Sequence, residues 1–90
     1  MNQKELVAEI ASKTDESNRQ VEKILSATLE AITEALCRGD KVQLMGFGTF
    51  ETKSRAARIG RNPRTGEEVA IVAKRRPTFR AGKSLKDKVE

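Results

Sequence analysis

The segment Gly60-Arg61-Asn62-Pro63-Arg64-Thr65-Gly66-Glu67 carries the residues best suited to a polyanion. Arginine offers a planar, weakly hydrated fork of donors that suits a narrow groove and bidentate phosphate contact. Pro63, one of only two prolines, is rigid and apolar and has no N–H to satisfy. Lys53, Arg55 and Arg58 precede the segment, and Lys74, Arg75, Arg76 and Arg80 follow it. From Lys53 to Arg80 there are nine Lys/Arg against two Asp/Glu, a net of +7. Such groups displace counterions condensed on a phosphate backbone, and that release gives affinity independent of sequence. A solvated basic surface would have the same composition but a much weaker salt dependence of binding.

Other chemistries find little support. The chain has no histidine and a single cysteine, Cys37, so neither a zinc site nor an internal disulfide is expected. Glu67 and Glu68 are adjacent and lack a partner motif, and Cys37 is far in sequence from any candidate base. Catalysis needs a positioned acid–base pair or an activated nucleophile, so the chain does not read as an enzyme. Gly46 and Gly48 lack the strand-to-helix context of a nucleotide-binding loop, and no cofactor is expected. No long apolar run suggests a membrane span or signal peptide, which points to the cytoplasm.

The basic segment needs a scaffold, and the charge distribution shows where it lies. Residues 1–45 hold six Lys/Arg and eight Asp/Glu, a net of −2, and residues 46–90 hold twelve and five, a net of +7. Asn2 and Glu5 form a capping box ahead of Leu6, Val7, Ile10 and Ala11, which mark one face of a helix running to about Thr14. Ser17 and Gln20 repeat the box. Val21, Ile24, Leu25, Thr28, Leu29, Ile32, Ala35 and Leu36 then keep helical spacing for about five turns, up to a terminating Gly39. A helix-turn-helix reading is disfavoured, because the second helix has a broad apolar stripe and exposes Glu22, Glu30 and Glu34.

Lys41–Met45 alternates as a half-buried strand. Gly46-Phe47-Gly48 reads as a turn with a glycine of positive φ on each side of the ring. Residues 49–55 form a second strand that begins amphipathic and becomes wholly polar, where a ribbon leaves the core. Residues 56–75 read as the projecting arm. Pro77 suits an edge, and Phe79 is expected to re-enter the core. A short helix from Lys83 to about Val89 closes the chain, with Leu85 and Val89 inward. Ninety residues with three aromatics give a thin core, so an obligate dimer is expected, with Leu29, Ile32, Leu36, Leu44, Phe47, Phe50 and Phe79 at its centre.

Four stretches together resemble the bacterial HU-type histone-like proteins and their relative, integration host factor. They are Gly-Asp-Lys-Val-Gln-Leu at 39–44, Gly-Phe-Gly-Thr-Phe at 46–50, Gly-Arg-Asn-Pro-Arg-Thr-Gly-Glu at 60–67 and Ala-Gly-Lys-Ser-Leu-Lys at 81–86. The resemblance spans essentially the whole chain, read as one domain. Residues 1–45 are the dimerisation scaffold with the first strand, 46–82 the sheet and DNA-binding arm, and 83–90 the last helix. It implies an α+β fold: an intertwined dimer with a helical body, a small antiparallel sheet and two β-ribbon arms. Val72, Arg76 and Ala81 depart from the residues usual at their positions, adding charge at the arm base and leaving the tip intact.

Under this resemblance the partner is double-stranded DNA, bound in the minor groove, and Pro63 is the wedge that enters between two base pairs. In an arbitrary hairpin Pro63 would only fix a turn. The DNA-binding set is Lys53, Arg55, Arg58, Arg61, Asn62, Pro63, Arg64, Lys74, Arg76, Arg80, Lys83 and Lys86. The implied function is architectural: bending and compacting DNA in the bacterial nucleoid with little sequence preference. A homodimer is implied, and a heterodimer with a paralogue is compatible with it. Sequence-selective bending in the manner of integration host factor is an alternative, with Arg75-Arg76 and Phe79-Arg80 as its support. A basic RNA-binding protein is the other, disfavoured because residues 51–78 contain no aromatic for base stacking; incidental RNA binding is compatible with the DNA-binding reading.

Overall fold

Helix α1 spans Gln3–Thr14, and in the computed structural model, which describes all residues 1–90, it starts where the capping box predicts. Asn2 Oδ1 accepts the Glu5 N–H at 2.8 Å, satisfying one of the free donors of the first turn. Asp15 ends the helix in the left-handed region, φ 58°. Helix α2 spans Asn18–Cys37, with Ser17 Oγ accepting the Gln20 N–H at 3.1 Å. Its C-terminus is closed by the Asp40 N–H on the Ala35 carbonyl at 2.9 Å and the Gly39 N–H on the Leu36 carbonyl at 3.0 Å. This is a Schellman arrangement around Gly39, φ 83°.

The strands are β1 (Val42–Leu44), β2 (Gly48–Arg55), β3 (Arg58–Arg61), β4 (Glu68–Ile71) and β5 (Lys74–Ala81), followed by α3 (Lys83–Val89). They form two antiparallel sheets, one ordered β1-β2-β5 and one made of β3 and β4. The expected single long hairpin is therefore two ladders. Ala56-Ala57 and Val72-Ala73 are unpaired, two residues on each side, so Arg55↔Lys74 is followed by Arg58↔Ile71 with no slip of register. Pro77 lies on β5, an edge strand, where a missing donor is tolerated.

The chain forms two compact units, Met1–Glu34 and Ala35–Glu90. In the first, Val7, Ala11 and Val21 are buried, with Ile10 and Leu25 packed against them. In the second, the three phenylalanines cluster. Phe50 and Phe79 have ring centroids 4.9 Å apart, and Phe47 and Phe79 5.5 Å apart, both pairs tilted as aromatic quadrupoles favour.

Three expectations change. Gly46 has φ 77°, but Gly48 has no positive φ; it is the first residue of β2. A Cβ on Gly48 would stand 2.5 Å from the Phe79 ring and 2.7 Å from the Arg80 carbonyl oxygen, so close approach is what excludes a side chain. Val89 is 77% exposed and not inward, while Leu85 is half-buried. Phe79 returns only to the cluster with Phe47 and Phe50 and remains 43% exposed in the single chain. Of the seven residues expected at a dimer centre, Leu29, Leu44, Phe47 and Phe79 are exposed in the single chain, and Ile32, Leu36 and Phe50 are half-buried. The chain buries four apolar residues below a tenth of their surface and no side chain completely.

Candidate nucleic-acid interface

The β2–β5 register sorts the side chains at the ribbon base into two chemically opposite faces. Neighbours along a strand point to opposite faces, and directly paired residues share one. The pairs Thr49↔Arg80, Lys53↔Arg76 and Arg55↔Lys74 therefore stand on one face, together with Glu51↔Thr78. Phe50↔Phe79, Thr52↔Pro77 and Ser54↔Arg75 stand on the other. Five predicted site residues, Lys53, Arg55, Lys74, Arg76 and Arg80, thus share one surface. Phe50 and Phe79 belong to the opposite one, which argues against their stacking on a base held by these cations.

The cationic face is electrostatically frustrated. Lys53 lies directly across from Arg76, and Arg55 from Lys74, an arrangement that destabilises a ladder. The chain's ion pairs are Arg38–Asp40 at 3.3 Å and Lys41–Glu51 at 3.6 Å, so no cation from Lys53 to Arg80 has a carboxylate partner. Glu51 is the one carboxylate on this face of β2, and Lys41 holds it. Lys41 was absent from the predicted site. The antiparallel pairing Val42↔Phe50 places position 41 opposite 51, a signal readable once the turn at Gly46-Phe47 is recognised.

The outer ladder distributes its arginines differently. Arg58 shares a face with Gly60, Val69 and Ile71, and Arg61 shares the other with Ile59, Ala70 and Glu68. The tip is closed by the Asn62 N–H on the Glu67 carbonyl at 2.8 Å and the Gly66 N–H on the Asn62 carbonyl at 2.7 Å. Gly66 takes φ 75°, which a side chain would strain. Asn62 Oδ1 accepts the Arg64 N–H at 2.9 Å, and Thr65 Oγ1 the Glu67 N–H at 3.3 Å. The Asn62 acceptor is thus used within the turn, and its amide Nδ2 is left as donor. The minor-groove edge presents mostly acceptors, so the free end is the complementary one. Pro63 and Arg64 are exposed between these closures. Lys83 and Lys86 are exposed on α3, which leaves the end of β5 through Gly82.

The family model described as Bacterial DNA-binding protein matches residues 1–90. The chain belongs to the bacterial DNA-binding protein family. Within that family it is 54% identical over 89 residues to DNA-binding protein HU of Lactococcus lactis, covering 99% of this chain and 98% of that one. It is 53% identical over 90 residues to DNA-binding protein HU-alpha of Vibrio proteolyticus, with each chain covered completely. The Anabaena HU–DNA cocrystal structure matches with a TM-score of 0.85 and 49% identity, covering 99% of this chain and 97% of that chain. This member of the bacterial DNA-binding protein family therefore has the HU fold: three helices, antiparallel sheets and an extended arm-like ribbon. No helix is long and apolar enough to cross a membrane, and no group of three or more His, Cys, Asp or Glu residues is gathered for a metal ion.

Proposed function

We propose that this chain is an HU-type architectural protein that binds duplex DNA with little sequence preference and bends it, working as a dimer in the bacterial nucleoid. The observation that carries this reading is the cationic face of the ribbon base: five unpaired Lys/Arg on one surface, two like-charged pairs directly opposed. A polyanion removes that repulsion, so the face is better matched to a phosphate backbone than to water. Lys83 and Lys86 extend the phosphate-binding set, and Arg58, Arg61, Asn62 and Arg64 follow the groove towards the tip. Pro63 is the wedge. It is exposed at the apex, has no N–H to desolvate, and stands between backbone closures that keep it in place. Minor-groove architectural proteins, HU among them, offset an unstacking cost of a few kcal/mol by bending more phosphate onto the protein.

The dimer is supported by apolar surface with no cover in the single chain. Leu29, Leu44, Phe47 and Phe79 are between 41% and 47% exposed. Residues 1–45 are the scaffold in this reading, 46–82 the sheet and arm, and 83–90 a basic flank.

The experiment is end-to-end fluorescence energy transfer on several duplexes of unrelated sequence and one nicked duplex. The expected result is bending of all of them, most on the nicked one. Bending of a single sequence would replace this reading with a sequence-selective one, and no bending at saturation would leave only a basic polyanion binder.

A further inference from the structure

Arg75 is the one cation of the ribbon base that faces away from the proposed DNA surface. It pairs with Ser54 on the face of Phe50, Phe79 and Pro77. Its Nη2 donates to the Cys37 carbonyl at 3.0 Å, across 38 residues of sequence. That acceptor is the next carbonyl to be satisfied at the end of α2. The Schellman bonds already engage the Ala35 and Leu36 carbonyls, and Cys37 is the last helical residue. A guanidinium there also meets the negative end of the helix dipole, so the bond is charge-assisted from both sides. Like-charge repulsion among Lys53, Arg55, Lys74 and Arg76 acts to open the two strands at this level.

We propose that Arg75 is a positioning residue rather than a phosphate ligand: it ties the root of the β2–β5 ribbon to the C-terminus of α2 and so sets the direction from which the arm addresses DNA. The proposal rests on the DNA-bending function above. It also removes Arg75 from the residues that would support sequence selectivity.

The test compares the full chain with Arg75→Met, which keeps an apolar stem and loses donor and charge, and with Arg75→Lys, which keeps both. Arg76→Gln serves as the phosphate-contact control. Three quantities are read: amide exchange at the ribbon base in the free protein, end-to-end energy transfer at saturating protein, and the salt dependence of affinity. In Arg75→Met, exchange at Ser54–Arg55 and Lys74–Arg76 is expected to quicken about fivefold, as for one lost hydrogen bond. End-to-end transfer should fall, and the slope of log affinity against log salt should stay close to wild type. Arg75→Lys should recover most of the transfer. Arg76→Gln should instead flatten the slope by about 1.8, two phosphates per dimer at about 0.9 each. Arg75→Met flattening the slope as much as Arg76→Gln would make Arg75 a phosphate ligand and overturn the proposal. Unchanged exchange and unchanged transfer would overturn it as well. If wild type bends no duplex, the function proposed above fails, and exchange in the free protein still decides whether Arg75 holds the ribbon root.

Discussion

Replacing Arg76 by glutamine should move folding stability and DNA affinity in opposite directions. Arg76 stands directly across from Lys53, with Arg55 and Lys74 the next pair on the same face and no carboxylate bound to any of the four. Removing one member of a like-charged cross-strand pair should relieve about 0.2–1 kcal/mol per ribbon, towards the lower end because the side chains are solvated. For a chain of this size that corresponds to a melting temperature higher by about 1–5 °C. Binding should weaken. If the five cations of the face each neutralise one phosphate in both protomers, about ten are engaged, and the log–log salt slope is about −9. Affinity then falls about 10⁵-fold from 50 to 200 mM salt. Without Arg76 about eight are engaged, the slope is about −7, and the fall is about 10⁴-fold. At 0.1 M salt the variant should bind about 60-fold more weakly, by similar factors on unrelated duplexes. Thermal melting in low salt and fluorescence anisotropy across a salt series measure the two effects. A variant that melts lower and keeps the wild-type slope would refute the reasoning, since Arg76 would then hold the fold rather than face phosphate.

Three further outcomes are expected. Pro63→Ala should reduce DNA bending and the preference for nicked duplex more than it reduces general affinity; energy transfer equal to wild type would remove the wedge. Gly48→Ala should lower stability by about 1–3 kcal/mol, read by denaturant melting, because its Cβ would be 2.5 Å from the Phe79 ring with a backbone oxygen behind it. Leu29→Asp should shift sedimentation towards monomer and lower the melting temperature, because a carboxylate at an apolar interface loses its water without gaining a partner; an unchanged dimer would place the interface elsewhere.

Agreement between sequence and structure is best where the determinant is local. Asn2, Ser17 and Gly39 bound their helices as their residue types require, because a cap acts within one turn of the backbone it satisfies. The tip at residues 60–67 was equally legible, since Pro63 fixes its own φ wherever it stands and Gly66 admits the positive φ that the turn requires. The glycine pair at 46 and 48 shows the limit. Both read as turn residues, yet one bends the chain and the other makes room for a ring 31 residues away. Val89 fails for a related reason, because helical spacing marks a face without saying whether anything packs against it.

The sequence by itself determined the polyanion chemistry. The charge division, the absence of histidine, the arginine-rich tip and the capped helices follow from residue identity and short spacing, which no pairing can alter. Tertiary structure alone decided which cations share a face. Alternation on β2 puts Lys53 and Arg55 on one side of that strand, and alternation on β5 does the same for Lys74, Arg76 and Arg80. Only the register of one strand against the other makes those two sides a single face. Alternation along β5 turns Arg75 away from Lys74 and Arg76, and the same register puts its side with Phe50 and Ser54, from which its guanidinium reaches the Cys37 carbonyl. Register is a long-range property, set by turns and packing many residues distant, and a shift of one residue would have exchanged the faces.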